Sequence, residues 1–107
     1  MMRVMRADAV RICPDLFQVL DAYLHQDFDL DHGTGGAALD ASMAEHPIET
    51  LRAALRQLRQ HRPDRRDEAG TASFVNSLCD YHPPGDGRSY VEWLDEVDAL
   101  LERAASA

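Results

Sequence analysis

Apolar residues recur three and four positions apart through most of the chain, and no stretch alternates apolar with polar as a half-buried strand would. Five helices follow from that period and its end signals. The first is expected over about residues 14–26, where Leu16, Val19, Leu20, Tyr23 and Leu24 form one stripe behind Pro14 and Asp15. A loop of aspartates and glycines is expected near 28–36, then a short helix over about 36–45 presenting Ala38, Leu39 and Met43. Pro47 suits the first position of a third helix, which turns Ile48, Leu51, Ala54, Leu55 and Leu58 inward. That helix stops near His61, because Pro63 cannot continue it.

A polar linker over 63–67 leads to a fourth helix over about 68–79. Gly70, Thr71 and Ser73 weaken it, while Phe74, Val75, Leu78 and Cys79 keep the period. Pro83, Pro84, Gly85 and Gly87 then exclude helix from residues 80–88. The last helix has the clearest start. Ser89 and Glu92 make a capping box, in which the serine oxygen accepts from the third helical amide and the glutamate reaches back. Tyr90, Trp93, Leu94, Val97, Leu100 and Leu101 follow at helical spacing, so Trp93 is expected to anchor the core. The pattern therefore predicts an all-α fold over residues 1–107: a compact single-domain bundle of about five helices. Ordered loops lie near 28–36 and 80–88, and residues 1–11 form a loosely ordered amino-terminal segment.

Composition changes this picture little. A chain of 107 residues with 45% apolar residues has room for one modest core. No run of about 18 apolar residues exists to span a membrane, and the segment holding Arg3 and Arg6 lacks the apolar stretch of a signal peptide. A cytoplasmic protein is expected. Cys13 and Cys79 lie far apart without CxxC spacing and read as two reduced, partly buried thiols, with a single disulfide between them as the lesser alternative.

Charge changes it more. The net charge is −8, and between Ile12 and Leu51 every charged side chain other than histidine is acidic. The segment from Asp80 onward is acidic as well, whereas Arg52, Arg56, Arg59, Arg62, Arg65 and Arg66 cluster between. Acidic surfaces repel nucleic acid and steer basic partners. Arg52, Arg56 and Arg59 recur at helical spacing opposite the leucines, which predicts a solvated face or one that pairs with the acidic helices.

Candidate chemistry is sparse. The run His25-Gln26-Asp27-Phe28-Asp29-Leu30-Asp31-His32-Gly33 places oxygen ligands at alternate positions, as calcium loops do. Counted from Asp27, however, glycine falls at position seven rather than six, and Ala38 stands where a bidentate glutamate belongs. A transition metal held by His25, Asp27 and His32 is the remaining metal reading; Asp27 capping a helix end or satisfying loop amides is preferred to it. The histidines lack a nucleophile elbow, a phosphate-cradling glycine loop or an HExxH pattern, so no catalytic residue, metal or cofactor is assigned. Cys79 followed by His82 resembles a thiol–imidazole pair, but a cysteine on an apolar stripe reads first as core packing.

Two segments carry a family resemblance. One is Tyr23-Leu24-His25-Gln26-Asp27-Phe28-Asp29, and the other is Tyr81-His82-Pro83-Pro84-Gly85-Asp86-Gly87-Arg88-Ser89 leading into Tyr90, Trp93 and Leu94. With Ala38-Leu39-Asp40-Ala41 between them, they resemble one family of immunity proteins from bacterial contact-dependent growth inhibition systems, over about residues 16–101. Leu24 stands where that family tends to have an aromatic, and Phe28 where it often has tryptophan; both keep apolar character. The resemblance implies a helical antitoxin, not an enzyme, that binds one-to-one the carboxyl-terminal toxin domain of a large secreted inhibitor. Such toxins are often nucleases, whose phosphate-binding sites are basic. No direct contact with nucleic acid or membrane is implied. On this reading Asp27, Asp29, Asp31, Asp86, Glu92, Asp95 and Glu96 form an acidic docking surface, with Tyr81 as an anchor. The competing roles for Asp27, Tyr81 and Trp93 are structural, and the competing function is an acidic adaptor or regulatory domain binding a basic protein.

Overall fold

A computed structural model describes residues 10–21, 43–79 and 87–106. Every regular element of length among these residues is an α-helix, in agreement with the apolar period. The helices are α1 (Pro14–Asp21), α2 (Ile48–His61), α3 (Glu68–Leu78) and α4 (Tyr90–Ser106). Met43 to Glu45 are helical too, at the end of the expected second helix. The rest of that helix, the continuation of the first beyond Asp21 and nearly all of both loops fall outside the described residues.

The apolar stripes meet in one core. Leu16, Val19 and Leu20 of α1, Ala54 and Leu58 of α2, Val75 and Leu78 of α3, and Trp93, Leu94, Val97 and Leu101 of α4 have no measurable exposure. Each large aliphatic side chain so buried contributes about 1.5–3 kcal/mol. Trp93 is among the largest fully buried side chains, as its place on the stripe predicted. Cys13 and Cys79 are free thiols buried in the same cluster. Burial pushes the Cys13 thiol above its ordinary value, which leaves it an inert packing group.

Helix α2 packs against α1 on one side and α4 on the other, while α3 packs against α4 and more lightly against α1. Pro47 differs slightly from expectation. Its extended ψ of 150° places it at the N-cap instead of inside the first turn, and its carbonyl accepts from the Leu51 amide. Helix α4 runs past the last leucine of its stripe to Ser106, burying Ala105.

The first amides of a helix have no acceptor within it and must find one elsewhere. At α4 the capping box forms as predicted: the Ser89 amide donates to Glu92 Oε1 at 3.1 Å, and the Glu92 amide donates to Ser89 Oγ at 3.0 Å. Between them, the Tyr90 and Val91 amides donate to the carboxylate of Glu68, at 2.8 and 3.1 Å. A side chain from α3 thus completes the cap of α4. The same device recurs at α1, where the Asp15 and Leu16 amides both donate to Gln57 Oε1 of α2 at 3.0 Å. The Gln57 amide nitrogen donates in turn to Asp15 Oδ2 at 2.8 Å.

Helix α3 caps itself. Asp67 Oδ1 accepts from the Gly70 amide at 2.9 Å, an approach so close that a β-carbon at residue 70 would sit 2.2 Å from Asp67 Oδ2. The glycine that weakens the helix in propensity is what lets its cap close. Gly87, with φ at +78°, supplies the left-handed residue that turns the chain toward Ser89.

Glu68→Ala and Gln57→Ala are each expected to cost about 1–2 kcal/mol, since each strands two helix amides. Urea unfolding of the two single variants and the double variant checks this. Because the two caps join different helix pairs, the double variant should lose about the sum.

Candidate interaction surface

Arginines of α2 and of the following turn face carboxylates of α4. The Arg52 Nε donates to the carbonyl of Ala105 at 3.2 Å, at the negative end of the α4 dipole. Arg59 forms a two-pronged pair with Asp98, at 3.1 and 2.9 Å, and approaches Glu102 at 3.4 Å. Arg62 meets Asp95 at 2.9 Å, and Arg65 meets the other oxygen of Asp95 at 2.6 Å. Moving from Arg52 to Arg59 to Arg62 along α2 matches moving back along α4 from Ala105 to Asp98 to Asp95 by equal steps. The helices are therefore antiparallel with one fixed register. Of the two expectations for the arginine face, pairing with an acidic helix is what occurs at Arg59 and Arg62.

Glu96 pairs with Arg88, on the residues leading into α4. Of the eight residues expected to meet a partner, the described residues include Glu92, Asp95 and Glu96, all on α4. All three are already engaged: Glu92 in the cap, Asp95 between two guanidinium groups and Glu96 with Arg88. Asp27, Asp29, Asp31, Tyr81 and Asp86 lie outside the described residues. So do the metal candidates His25, Asp27 and His32, and His82 of the thiol–imidazole pair. Among the described residues, no group of three histidine, cysteine or acidic side chains is placed to hold a metal ion, and no helix is long and apolar enough to cross a membrane.

The pairing sets the electrostatics. The Arg59 guanidinium, by hydrogen bonding and then by charge, holds the Asp98 carboxyl below its ordinary value, against the opposing effect of burial. Arg59 is raised in return. Glu92 is held low first by the Ser89 amide and then by its hydroxyl. What the arrangement offers is a ribbon of charge in which carboxylates of α4 and arginines of α2 and the 62–66 turn are interleaved.

Sequence reading named the acidic residues as partner-facing and the arginines as a separate run. The arginines at positions 59, 62 and 65 belong to the same surface as Asp95 and Asp98, and Arg88 pairs with Glu96. The spacing of Arg52, Arg59 and Arg62 held part of that signal, because steps of seven and three residues keep to one face of a helix.

A family model described as CdiI immunity protein matches residues 13–101. No curated protein and no solved structure matches the chain.

A carboxylate held below its ordinary value stabilises the fold above that value, and the contribution is lost as pH falls through the lower folded value. For Asp98 the ordinary value is 3.8, so the loss falls in the acid range below it. Arg59→Gln removes the cause. Urea midpoints measured from about pH 6 down to about pH 2.5 should show the wild type ahead at the upper end and the two proteins converging at the lower. Parallel curves over the whole range would rule the Arg59–Asp98 pair out as a source of acid sensitivity.

Proposed function

The chain belongs to the CdiI immunity protein family, and from that membership we propose that it is the antitoxin of a contact-dependent growth inhibition system. It binds, one-to-one and in the cytoplasm, the toxin domain at the carboxyl end of a secreted inhibitor, and it blocks that toxin without catalysis of its own. The observation that carries this reading is the family match over residues 13–101. We further infer that the toxin is a nuclease. The net charge of −8 supports this, since a phosphate-binding active site is basic and draws in an acidic partner at a rate above that of neutral encounter.

The docking role goes chiefly to Asp27, Asp29, Asp31 and Asp86, with Tyr81 as the aromatic anchor that a tight interface needs amid charge. Glu96 contributes from α4, where a basic toxin group competes with Arg88 for it. Glu92 and Asp95 combine any such contact with holding the fold together, through the cap and through the double pairing with Arg62 and Arg65. Replacing Glu92 would therefore weaken the helix as well as the surface, and it makes a poor probe of docking.

Co-expression with the carboxyl-terminal toxin domain encoded beside the chain should give a one-to-one complex by mass, with cells surviving only when the chain is present. In the same system Asp29→Lys with Asp31→Lys should slow association about tenfold or more at low salt, the difference shrinking as salt rises. A chain that neither binds nor protects would reject immunity to that toxin. Protection with salt-independent association would remove the acidic surface while leaving the antitoxin role in place.

A further inference from the structure

The turn after α2 forms a shallow, open notch of about 410 Å³ lined by Arg62, Pro63, Asp64, Arg65 and Arg66. Three arginines and one aspartate thus line it, in a chain whose overall charge is −8. That aspartate is occupied: Asp64 Oδ1 accepts from the Arg66 amide at 2.8 Å. Asp95 reaches the cluster from α4 but is shared between Arg62 and Arg65. The Arg66 side chain is exposed and makes no ion pair among the described residues. On Arg62, which pairs with Asp95 through Nη1, Nε and Nη2 are buried with no acceptor among the described residues. A buried charged donor left without a partner is costly, and it marks a place where positive charge exceeds what the fold uses.

The frame of the notch is rigid. The Arg62 amide closes α2 on the Leu58 carbonyl at 2.9 Å, Pro63 fixes the exit, and the Asp67 amide donates to the Asp64 carbonyl at 2.9 Å. Asp67 then caps α3. Arginines based on a frame of this kind offer planar forks that match a carboxylate, with the backbone already in place. The exposed groups of Arg65 and Arg66 meet an entering anion first. The Arg65 side chain is 71% exposed and that of Arg62 only 14%, so Arg62 acts from behind them.

We infer that this notch receives an acidic side chain of the toxin, so that the interface pairs a basic contact on the antitoxin with the acidic ones; the inference rests on the antitoxin reading. A protein carboxylate suits it better than a nucleic-acid backbone. A polyanion tracking the surface would meet Asp95, Asp98 and Glu102 beside the arginines and the net negative charge beyond them, whereas a single carboxylate at the exposed Arg66 avoids Asp98, Glu102 and that wider field.

The test is Arg66→Glu in the full chain, titrated against the carboxyl-terminal toxin domain encoded beside it, with Arg66→Lys for comparison. Since the Arg66 side chain bonds nothing among the described residues, the urea midpoint should stay at the wild-type value. Arg66→Glu should weaken toxin binding about tenfold or more, with Arg66→Lys between it and the wild type. Undiminished binding by Arg66→Glu, with tight wild-type binding, overturns the notch and leaves the antitoxin reading standing. A wild-type chain that does not bind the toxin overturns both. A labelled 20-nucleotide single strand provides the control. If the wild type binds it and Arg66→Glu does not, while toxin affinity is equal in both, the notch takes phosphate and the inference is wrong.

Discussion

Helix amides without acceptors are the constraint around which the described helices are arranged. The amides at the start of α1 and α4 would each cost a large part of a hydrogen bond if left dry. Neither helix satisfies its own set. Gln57 on α2 receives two amides of α1, and Glu68 on α3 receives two of α4. These bonds are directional in a way apolar packing is not, and so they fix where one helix begins relative to the side of another. The antiparallel ladder from Arg52 to Arg62 then sets the register of α2 against α4. Hydrophobic burial holds the bundle together; the polar clasps select one arrangement among the many that would bury similar area.

Much of this was legible in the chain, and the boundary between what was and was not follows interaction range. The apolar period located α2, α3 and α4 within a residue or two at most ends, because a helix face is a local property. The Ser89–Glu92 box was legible for the same reason, its two partners being three residues apart. Gln57 and Glu68 gave no such signal. Each reads locally as an ordinary polar residue on a helix, and its role exists only once another helix is brought alongside. Gly70 misled in the opposite direction: its low helix propensity is real, yet the Asp67 cap requires the absence of a side chain there.

The charge pattern illustrates the same limit. Acidic stretches and an arginine run were plain in the sequence, and helical spacing suggested that the two could pair. The spacing did not reveal that the pairs sit on the surface assigned to a partner. Asp95 and Glu96 were read as free to meet a toxin, and in the folded chain each already holds an arginine. The residues that carry most of the family resemblance on this point, Asp27, Tyr81 and their neighbours, lie outside those the structure describes.

Interleaved charge has a consequence for recognition. A uniformly acidic surface attracts any basic protein, including many that a cell has no reason to bind. Where each carboxylate is already matched by an arginine, an indiscriminate basic partner gains little, because it must break one pair to make another of similar strength. A partner whose own charges are placed in the complementary order breaks none without replacing it, and leaves no desolvated charge behind. The cost of mismatch thus rises faster than the gain from match. On the antitoxin reading proposed above, a ribbon of paired charge between two packed helices is a physical route to discrimination, and the net negative charge a physical route to faster encounter with a basic partner.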